Sequence, residues 1–215
     1  MTRNEPVTGR AQDATKPVVT LFEAYGSGAG YVGRALAERL GVPYFDQKYS
    51  STQLEDAERS DGGGWLERIL TAIAASGVEL NASSYQLYDA PDDELVARNN
   101  RGLWDLVADG GVVLGRNATV VLATRPNTFH VKLDGPGEVR VARAAREAGI
   151  PLELARRRQT REDRARAEMS LRLYGWDPRL TGAYDVVLNT GTYSLDACVA
   201  LILHCRSQAG VEPGR

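Results

Sequence analysis

A glycine-rich segment, Gly26–Gly33, is the part of the sequence whose residue types and spacing point most directly to chemistry. It follows the apolar run Val18–Phe22 and precedes apolar residues at helical spacing, so it is predicted to be the turn between a strand and a helix. Glycines at such a turn let the backbone approach an anion, and the start of the helix supplies free N–H groups and the positive end of its dipole. The segment therefore predicts a phosphate-binding loop, with a ligand-free tight turn as the alternative.

Two nucleotide-binding motifs compete for this loop. The range Gly28–Gly33 has the G-x-G-x-x-G spacing of a dinucleotide fingerprint, and Asp46 lies eighteen residues after its first glycine, close to the spacing of a ribose-binding acid. The alternative is a P-loop, because Ser27–Gly30 matches the core of its nucleotide-kinase form. That form continues with a lysine and a small residue, whereas this chain has Tyr31 and Val32. The loop alone leaves both motifs open.

The nucleotide is predicted to be held by the loop, by the first turns of the helix and by an arginine that follows a later strand. These predicted binding residues are Gly26, Ser27, Gly28, Ala29, Gly30, Tyr31, Arg34 and Arg116. Arg116 comes just after the run Val112–Leu114, and ligands of open α/β sheets bind at the carboxyl ends of the strands. Arg34 is one turn into the helix, where an outward orientation is the alternative.

A second candidate region is the arginine-rich segment 152–173. Seven arginines lie between Arg156 and Arg172, and those predicted to be catalytic are Arg158, Arg164 and Arg166. Phosphoryl transfer depends on positioning and on neutralisation of charge, and the loop has no lysine. The segment is therefore predicted to be a lid that closes on donor phosphates and is loosely held without them, because like charges repel. The alternatives are a solvated helix with ion pairs one turn apart and a contact with an RNA backbone.

Asp46 is the acid predicted to lie nearest the loop. It is a candidate for orienting magnesium-bound water, with the capping of a turn as the alternative. No cysteine and histidine cluster has the spacing of a metal site.

Five apolar runs are predicted to be strands: Val18–Phe22, Pro43–Asp46, Val112–Leu114, Thr128–Leu133 and Tyr184–Asn189. Predicted helices alternate with them. This alternation indicates an α/β fold with a mostly parallel five-stranded sheet covered by helices on both faces.

Composition narrows the class of protein. The chain has 215 residues and a net charge of −2, which fits one α/β domain and argues against a polycation that coats nucleic acid. No apolar stretch approaches the roughly 20 residues that span a bilayer, and the N-terminus lacks the apolar core of a secretory signal. Cys198 and Cys205 fit one face of a helix, as expected of thiols in a reducing cytoplasm. We expect a cytoplasmic protein whose partners are small molecules, with its oligomeric state left open.

The order of motifs along the chain resembles the cytidylate kinase-like family. The resemblance spans residues 17–203 and rests on Gly26–Asp46, Gly115-Arg116, Phe129–Arg143, Asp163–Arg166, Tyr174–Pro178 and Tyr184–Thr190. It implies a P-loop nucleoside monophosphate kinase fold, ATP with Mg²⁺ as the phosphoryl donor, and CMP or dCMP as the acceptor. Arg116 would then hold the acceptor.

The resemblance also divides the chain. It implies a kinase-like domain over residues 17–207, with an acceptor-side helical insertion at 47–108 and a lid at 152–180. Residues 1–16 are predicted to be a disordered arm and residues 208–215 a flexible tail.

The chain departs from its relatives around the loop. Phe22-Glu23 stand where relatives usually have Ser-Arg, and Ala29-Gly30 stand where they have Gly and then Arg. This branch of the family generally lacks the loop lysine of established nucleotide kinases. Two other functions therefore stay open, a nucleotide-binding regulatory protein without catalysis and a kinase of another small phosphoacceptor.

Overall fold

The computed structural model describes residues 16–46, 92–115 and 117–209. Within them the chain forms five parallel strands: β1 (Val18–Glu23), β2 (Tyr44–Phe45), β3 (Gly111–Leu114), β4 (Thr128–Asp134) and β5 (Val186–Asn189). The strands lie side by side in the order β2-β3-β1-β4-β5. All five predicted strands are present, within two residues at each end.

The strand order identifies the type of α/β fold. β1 is central, with Val18 opposite Gly111 of β3 on one side and Thr128 of β4 on the other. Dinucleotide-binding domains have the order 3-2-1-4-5-6, so this sheet excludes that topology and confirms the predicted P-loop kinase-like fold. The chain changes sides of the sheet at β1, and the carboxyl end of such a strand is where ligands bind.

Six helices accompany the strands in the described ranges: α1 (Ala29–Leu40), α2 (Asp92–Leu106), α3 (Ala118–Val121), α4 (Gly137–Ala148), α5 (Leu152–Tyr174) and α6 (Leu195–Gln208). The short helix α3 was not expected from the sequence. None of the helices described is both long and apolar enough to cross a membrane.

Helices cover both faces of the sheet. On one face, α1 and α6 bury Leu36 and Ile202 against the side chains of Val19 and Leu21. On the other face, Leu103 and the residues of α3 pack against Val18 and Val113. Because successive residues of a strand point to opposite faces, the continuous apolar runs of β1 and β3 are buried on both sides.

Part of the predicted domain division lies outside the described residues, namely 1–15, 47–91 and 210–215. The described end of the predicted insertion is α2. This helix packs on a face of the sheet, because Leu103 and Val107 are buried with Val18 of the central strand.

Candidate functional site

The glycine loop occupies the turn between β1 and α1, at the carboxyl edge of the sheet. Gly26 has φ +75° and Gly28 has φ +83°, a left-handed conformation that favours glycine. A Cβ atom at Gly26 would overlap the carbonyl oxygen of Arg140, and one at Gly28 would lie 2.7 Å from the Leu195 side chain. Both conformation and space therefore require glycine at these two positions.

The loop leaves backbone donors available at the start of α1. The amides of Gly28, Ala29 and Gly30 donate no hydrogen bond to another residue among those the structure describes. Further on, the amides of Tyr31 and Val32 donate to the Gly28 carbonyl at 3.1 and 3.2 Å. Unpaired amides at a helix N-terminus, together with the helix dipole, make a site for an anion.

Ser27 lies inside the loop. Its amide donates to the Ala24 carbonyl at 2.9 Å, and its side chain is fully buried. The hydroxyl oxygen has no hydrogen-bond partner among the described residues.

Two arginines of α4 donate hydrogen bonds to backbone carbonyls at the start of the loop. Arg140 donates through Nη1 to the Tyr25 carbonyl at 2.8 Å. Arg143 donates through Nη1 to the Gly26 carbonyl at 2.9 Å and also binds the side chain and the backbone of Thr190. In a trans peptide the N–H group points away from the preceding carbonyl, so the amide of Gly26 points away from α4.

Helix α5 binds the same part of the loop. Asp163 accepts the Tyr25 amide on Oδ1 at 2.7 Å and the Arg140 guanidinium on Oδ2 at 3.0 Å. The Gln159 side chain donates to Oδ2 of the same carboxylate at 2.7 Å. The peptide groups on both sides of Tyr25 are thus fixed by an ion pair that joins α4 to α5.

Two of the three predicted catalytic arginines face the loop. Arg166 pairs with Glu162 at 3.0 Å, and the two side chains are 7% and 2% exposed. Arg158 hydrogen-bonds the hydroxyl of Tyr25. Burial and the Glu162 carboxylate raise the pKa of Tyr25, whereas Arg158 and Arg166 oppose this rise.

The third, Arg164, is on the solvent side of α5. Its side chain is 72% exposed and binds Glu168 one turn along the helix at 2.5 Å. The structure therefore does not bring Arg164 together with the loop and the other two arginines.

The arginine-rich segment is a continuous helix with buried residues, capped by Gly175 in a left-handed conformation. The sequence predicted a segment that is loosely held without an anion, because like charges repel. Part of that repulsion is neutralised within the protein, since Arg156 pairs with Glu138 of α4 at 2.7 Å and Arg166 with Glu162 of its own helix. Movement of the helix on ligand binding stays a prediction.

Glu23 ends β1 directly before the loop. Burial raises the pKa of its carboxyl from 4.5 to about 7; Arg166 opposes this rise, whereas the nearby carboxylates of Glu162, Asp46 and Asp163 add to it. Glu23 therefore places a carboxyl group that is partly neutral at physiological pH directly before the glycine loop.

Arg34 and Asp46 lie together on the open side of the loop. The Arg34 guanidinium is 3.9 Å from the Asp46 carboxylate and 5.6 Å from the centre of the Tyr44 ring. It is also the nearest group to the position of a side chain at Gly30, at 3.4 Å. In the ranges the structure describes, no three histidine, cysteine or carboxylate side chains form a metal site.

No described lysine lies at the loop. Tyr31, in the position of the motif lysine, is half-exposed and donates from its hydroxyl to Asp196 of α6 at 2.5 Å. Lys16 pairs with Asp109, and Lys132 lies 3.4 Å from Asp134. Lys48 lies outside the described residues.

Arg116, the predicted acceptor-binding residue, also lies outside the described residues. Its neighbours Gly115 and Asn117 both have positive φ, at +71° and +53°, so the chain turns sharply after β3. The Asn117 side chain accepts a hydrogen bond from Ser170 of α5 at 2.6 Å, which ties this turn to the arginine-rich helix.

The residues that shape the loop, above all Arg140, Arg143 and Asp163, lie in the motifs that carry the family resemblance, but no role at the loop was predicted for them. A signal was present, since two arginines three residues apart follow a strand on the first turns of a helix. Their acceptors are backbone carbonyls more than a hundred residues away, and no pattern in the sequence indicates such contacts.

Known proteins that are similar to this chain identify its family. A family model described as the cytidylate kinase-like family matches residues 18–192. The chain belongs to this family. A cytidylate kinase of Methanopyrus kandleri is 28% identical over 207 residues, which cover 91% of this chain and 93% of that enzyme.

Two further likenesses are more limited. A uronate isomerase of Corynebacterium glutamicum is 37% identical over 114 residues, but the match spans only 22% of that enzyme and 53% of this chain. An uncharacterised protein of Eubacterium ventriosum has a solved structure that aligns with 89% of this chain and 99% of its own, with a TM-score of 0.65 and 15% identity. The second likeness bears on the fold alone.

Membership of the cytidylate kinase-like family supports a kinase that acts on a nucleotide or another small molecule.

Proposed function

We propose that this chain transfers the terminal phosphoryl group of ATP to a nucleoside monophosphate, with CMP or dCMP as the acceptor. The observation that carries the proposal is the glycine loop at the carboxyl end of the central strand, with three available amides at the start of α1. The family match over residues 18–192 supports the kinase chemistry.

The donor phosphates bind to the loop. The amides of Gly28, Ala29 and Gly30 donate to phosphate oxygens, and the dipole of α1 favours their negative charge. Arg34 neutralises charge from the open side. Arg158 and Arg166 do so from the side of α5, where they already flank Tyr25.

The acceptor is its own nucleophile. Arg116 holds its phosphate or its base, and one oxygen of the acceptor phosphate attacks the terminal phosphorus of ATP in line. The new P–O bond forms as the bond to the bridging oxygen breaks, so ADP leaves with that electron pair. The protein acts by positioning and by neutralising charge, without a covalent intermediate.

The described residues fit the binding of a magnesium ion that enters the site together with the nucleotide. Mg²⁺ in kinases takes one or two carboxylates from the protein and completes its coordination with phosphate oxygens and water, and Asp46 offers a half-exposed carboxylate beside the loop. When bound, the ion would neutralise phosphate charge.

An assay of ADP release tests the proposal. Purified protein with ATP and magnesium is offered CMP, dCMP, UMP, AMP and GMP in turn, and formation of the diphosphate product is verified by chromatography. We expect turnover with CMP or dCMP above the rate with ATP alone. ATP binding without any product from the five acceptors would contradict the proposal.

A second candidate is a nucleotide-binding protein without catalysis. It is favoured by Tyr31, which replaces the motif lysine and is tied to Asp196. In that case calorimetry would detect ATP binding, while the assay would show no transfer to any monophosphate.

A further inference from the structure

Arg143 carries a charge that no acid neutralises among the residues described. Its three hydrogen bonds go to the Gly26 carbonyl at 2.9 Å, the Thr190 hydroxyl at 2.9 Å and the Thr190 carbonyl at 2.5 Å. All three acceptors are neutral, and no carboxylate of the described ranges lies within ion-pair distance of its guanidinium. A partly buried charge is costly without a counter-charge, so this arrangement favours an anion nearby.

The neighbouring Arg140 provides the contrast. It also reaches the loop, at the Tyr25 carbonyl, but Asp163 lies 3.0 Å and Asp134 3.6 Å from its guanidinium. Its charge is neutralised within the protein. The two arginines therefore hold consecutive carbonyls of the loop with different electrostatic consequences.

Arg143 lies close to the place where an anion would bind. The Gly26 carbonyl that it binds is two residues before Gly28, whose amide is the first of the three available donors. Among the described residues, no ammonium group occupies the position of the motif lysine, because Tyr31 stands there and binds Asp196. The described lysines, Lys16 and Lys132, pair with Asp109 and Asp134.

We propose that Arg143 supplies, from the side of the glycine loop that faces α4, the positive charge that a lysine at the position of Tyr31 would supply. A bound polyphosphate is then the counter-charge of Arg143. Arg143 is then a positioning residue that acts through the peptide of Gly26, without touching the phosphate. The inference rests on the proposed function only in that the loop must bind a polyphosphate.

Calorimetric titration of Arg143→Gln with ATP, inorganic triphosphate and adenosine tests the role of charge. Loss of one charge at this range should weaken ATP and triphosphate binding about tenfold, while adenosine, which is uncharged, binds as before. The slope of log Kd against log salt should also become shallower than in the wild type.

Three further variants separate charge from shape. Arg143→Lys keeps the charge and should recover most of the lost affinity. Thr190→Val keeps the charge and removes one anchor, so its ATP affinity should stay within about threefold of the wild type. Arg146→Gln removes an exposed charge from the last turn of the same helix and should leave binding unchanged.

The outcomes are distinct. If the wild type binds neither ATP nor triphosphate, the proposed function and this inference both fail. If the wild type binds and Arg143→Gln binds as tightly, only the inference fails. It also fails if Arg143→Lys binds as weakly as Arg143→Gln, or if adenosine loses as much affinity as ATP, because the arginine then shapes the loop or contacts the nucleoside.

Discussion

The Glu23 carboxyl, whose pKa burial raises to about 7, makes stability depend on pH. The folded protein binds this proton more tightly than the unfolded chain, so the stabilisation is complete below about pH 4.5 and is lost as the pH rises to about 7. We expect Glu23→Gln, which is neutral throughout, to exceed the wild type in free energy of unfolding by about 2 to 3 kcal/mol at pH 8. Urea unfolding at pH 4.5 and at pH 8 measures the difference, which should nearly vanish at the lower pH.

Glu147→Gln is the matched control for this prediction, because Glu147 is exposed on α4. Its effect on stability should be the same at both pH values. A Glu23→Gln variant with the same stability as the wild type at pH 8 would show that this carboxyl ionises without penalty.

Gly28 and Gly30 look equivalent in the sequence, but the structure separates them. Gly28 has φ +83° and no room for a side chain, whereas a Cβ at Gly30 would meet nothing closer than the Arg34 guanidinium at 3.4 Å. We expect Gly28→Val to destabilise the protein by roughly 2 kcal/mol or more and to abolish ATP binding. Gly30→Val should keep the fold and still lose ATP affinity, because its side chain would stand where phosphates approach the amides. Thermal unfolding and calorimetric titration measure the two effects.

Gly41→Ala controls for backbone strain. Gly41 has φ +64° at the opposite end of α1, with open space around it, so alanine there should lower the melting temperature and leave ATP affinity unchanged. Normal affinity in both Gly28→Val and Gly30→Val would place the nucleotide elsewhere.

The residues that carry charge were only partly predictable. Ion pairs one turn apart were an alternative interpretation of the arginine-rich segment, but in a solvated helix, whereas the side chains of the pair Glu162 and Arg166 are both buried. Spacing determines which residues share a helix face; the other elements of the fold determine which face is covered. For the same reason the contact of Arg143 with the Gly26 carbonyl could not be predicted from the spacing of residues in its helix.

At the scale of elements, α5 combines a buried ion pair with exposed arginines. We expect Arg166→Ala to cost about 3 to 5 kcal/mol, because it leaves the buried carboxylate of Glu162 uncompensated. Arg164→Ala removes an exposed pair and should leave the melting temperature and the turnover unchanged. Combining Glu162→Gln with Arg166→Met removes both charges and should recover most of the lost stability. A small effect of Arg166→Ala would contradict the buried-pair interpretation.

Hydrogen exchange tests the lid. The amides of α5 around the buried Ala165 should already be protected in the free protein, because the helix is packed. If the helix closes on ligand, ATP analogue and CMP together should slow exchange further in the turns that carry Arg158 and Asp163. Identical protection with and without the two nucleotides would contradict the lid, because α5 would then not close on the ligand.

The elements themselves were largely predictable, because apolar runs and glycine stops mark their ends. The exception, α3, has four residues, which is too short for a helical period to show. The sheet order was not derivable from periodicity, because the apolar pattern of a strand gives its faces and not its neighbours.

For the whole molecule, the strand order predicts which nucleotide stabilises the fold. A domain of order β2-β3-β1-β4-β5 should be stabilised by ATP and not by NAD. A ligand at 100 times its Kd that binds only the folded state adds about 2.7 kcal/mol, so millimolar ATP should raise the melting temperature by several degrees. A shift with NAD alone would contradict the P-loop assignment of the loop.

The central position of β1 has a consequence for synthesis of the chain. β1 pairs at Val18 with Gly111 and with Thr128, so neither of its neighbours exists until the chain has been made as far as Gly111. Until β3 leaves the ribosome, the apolar run Val18–Phe22 has no strand to join, and β2 is separated from it by the vacant place of β3. Pairings this distant in sequence slow folding and prolong the exposure of apolar edges. The strand that precedes the glycine loop is thus translated before both of its neighbours, and a nascent chain that stops near residue 110 has no sheet in which to place it.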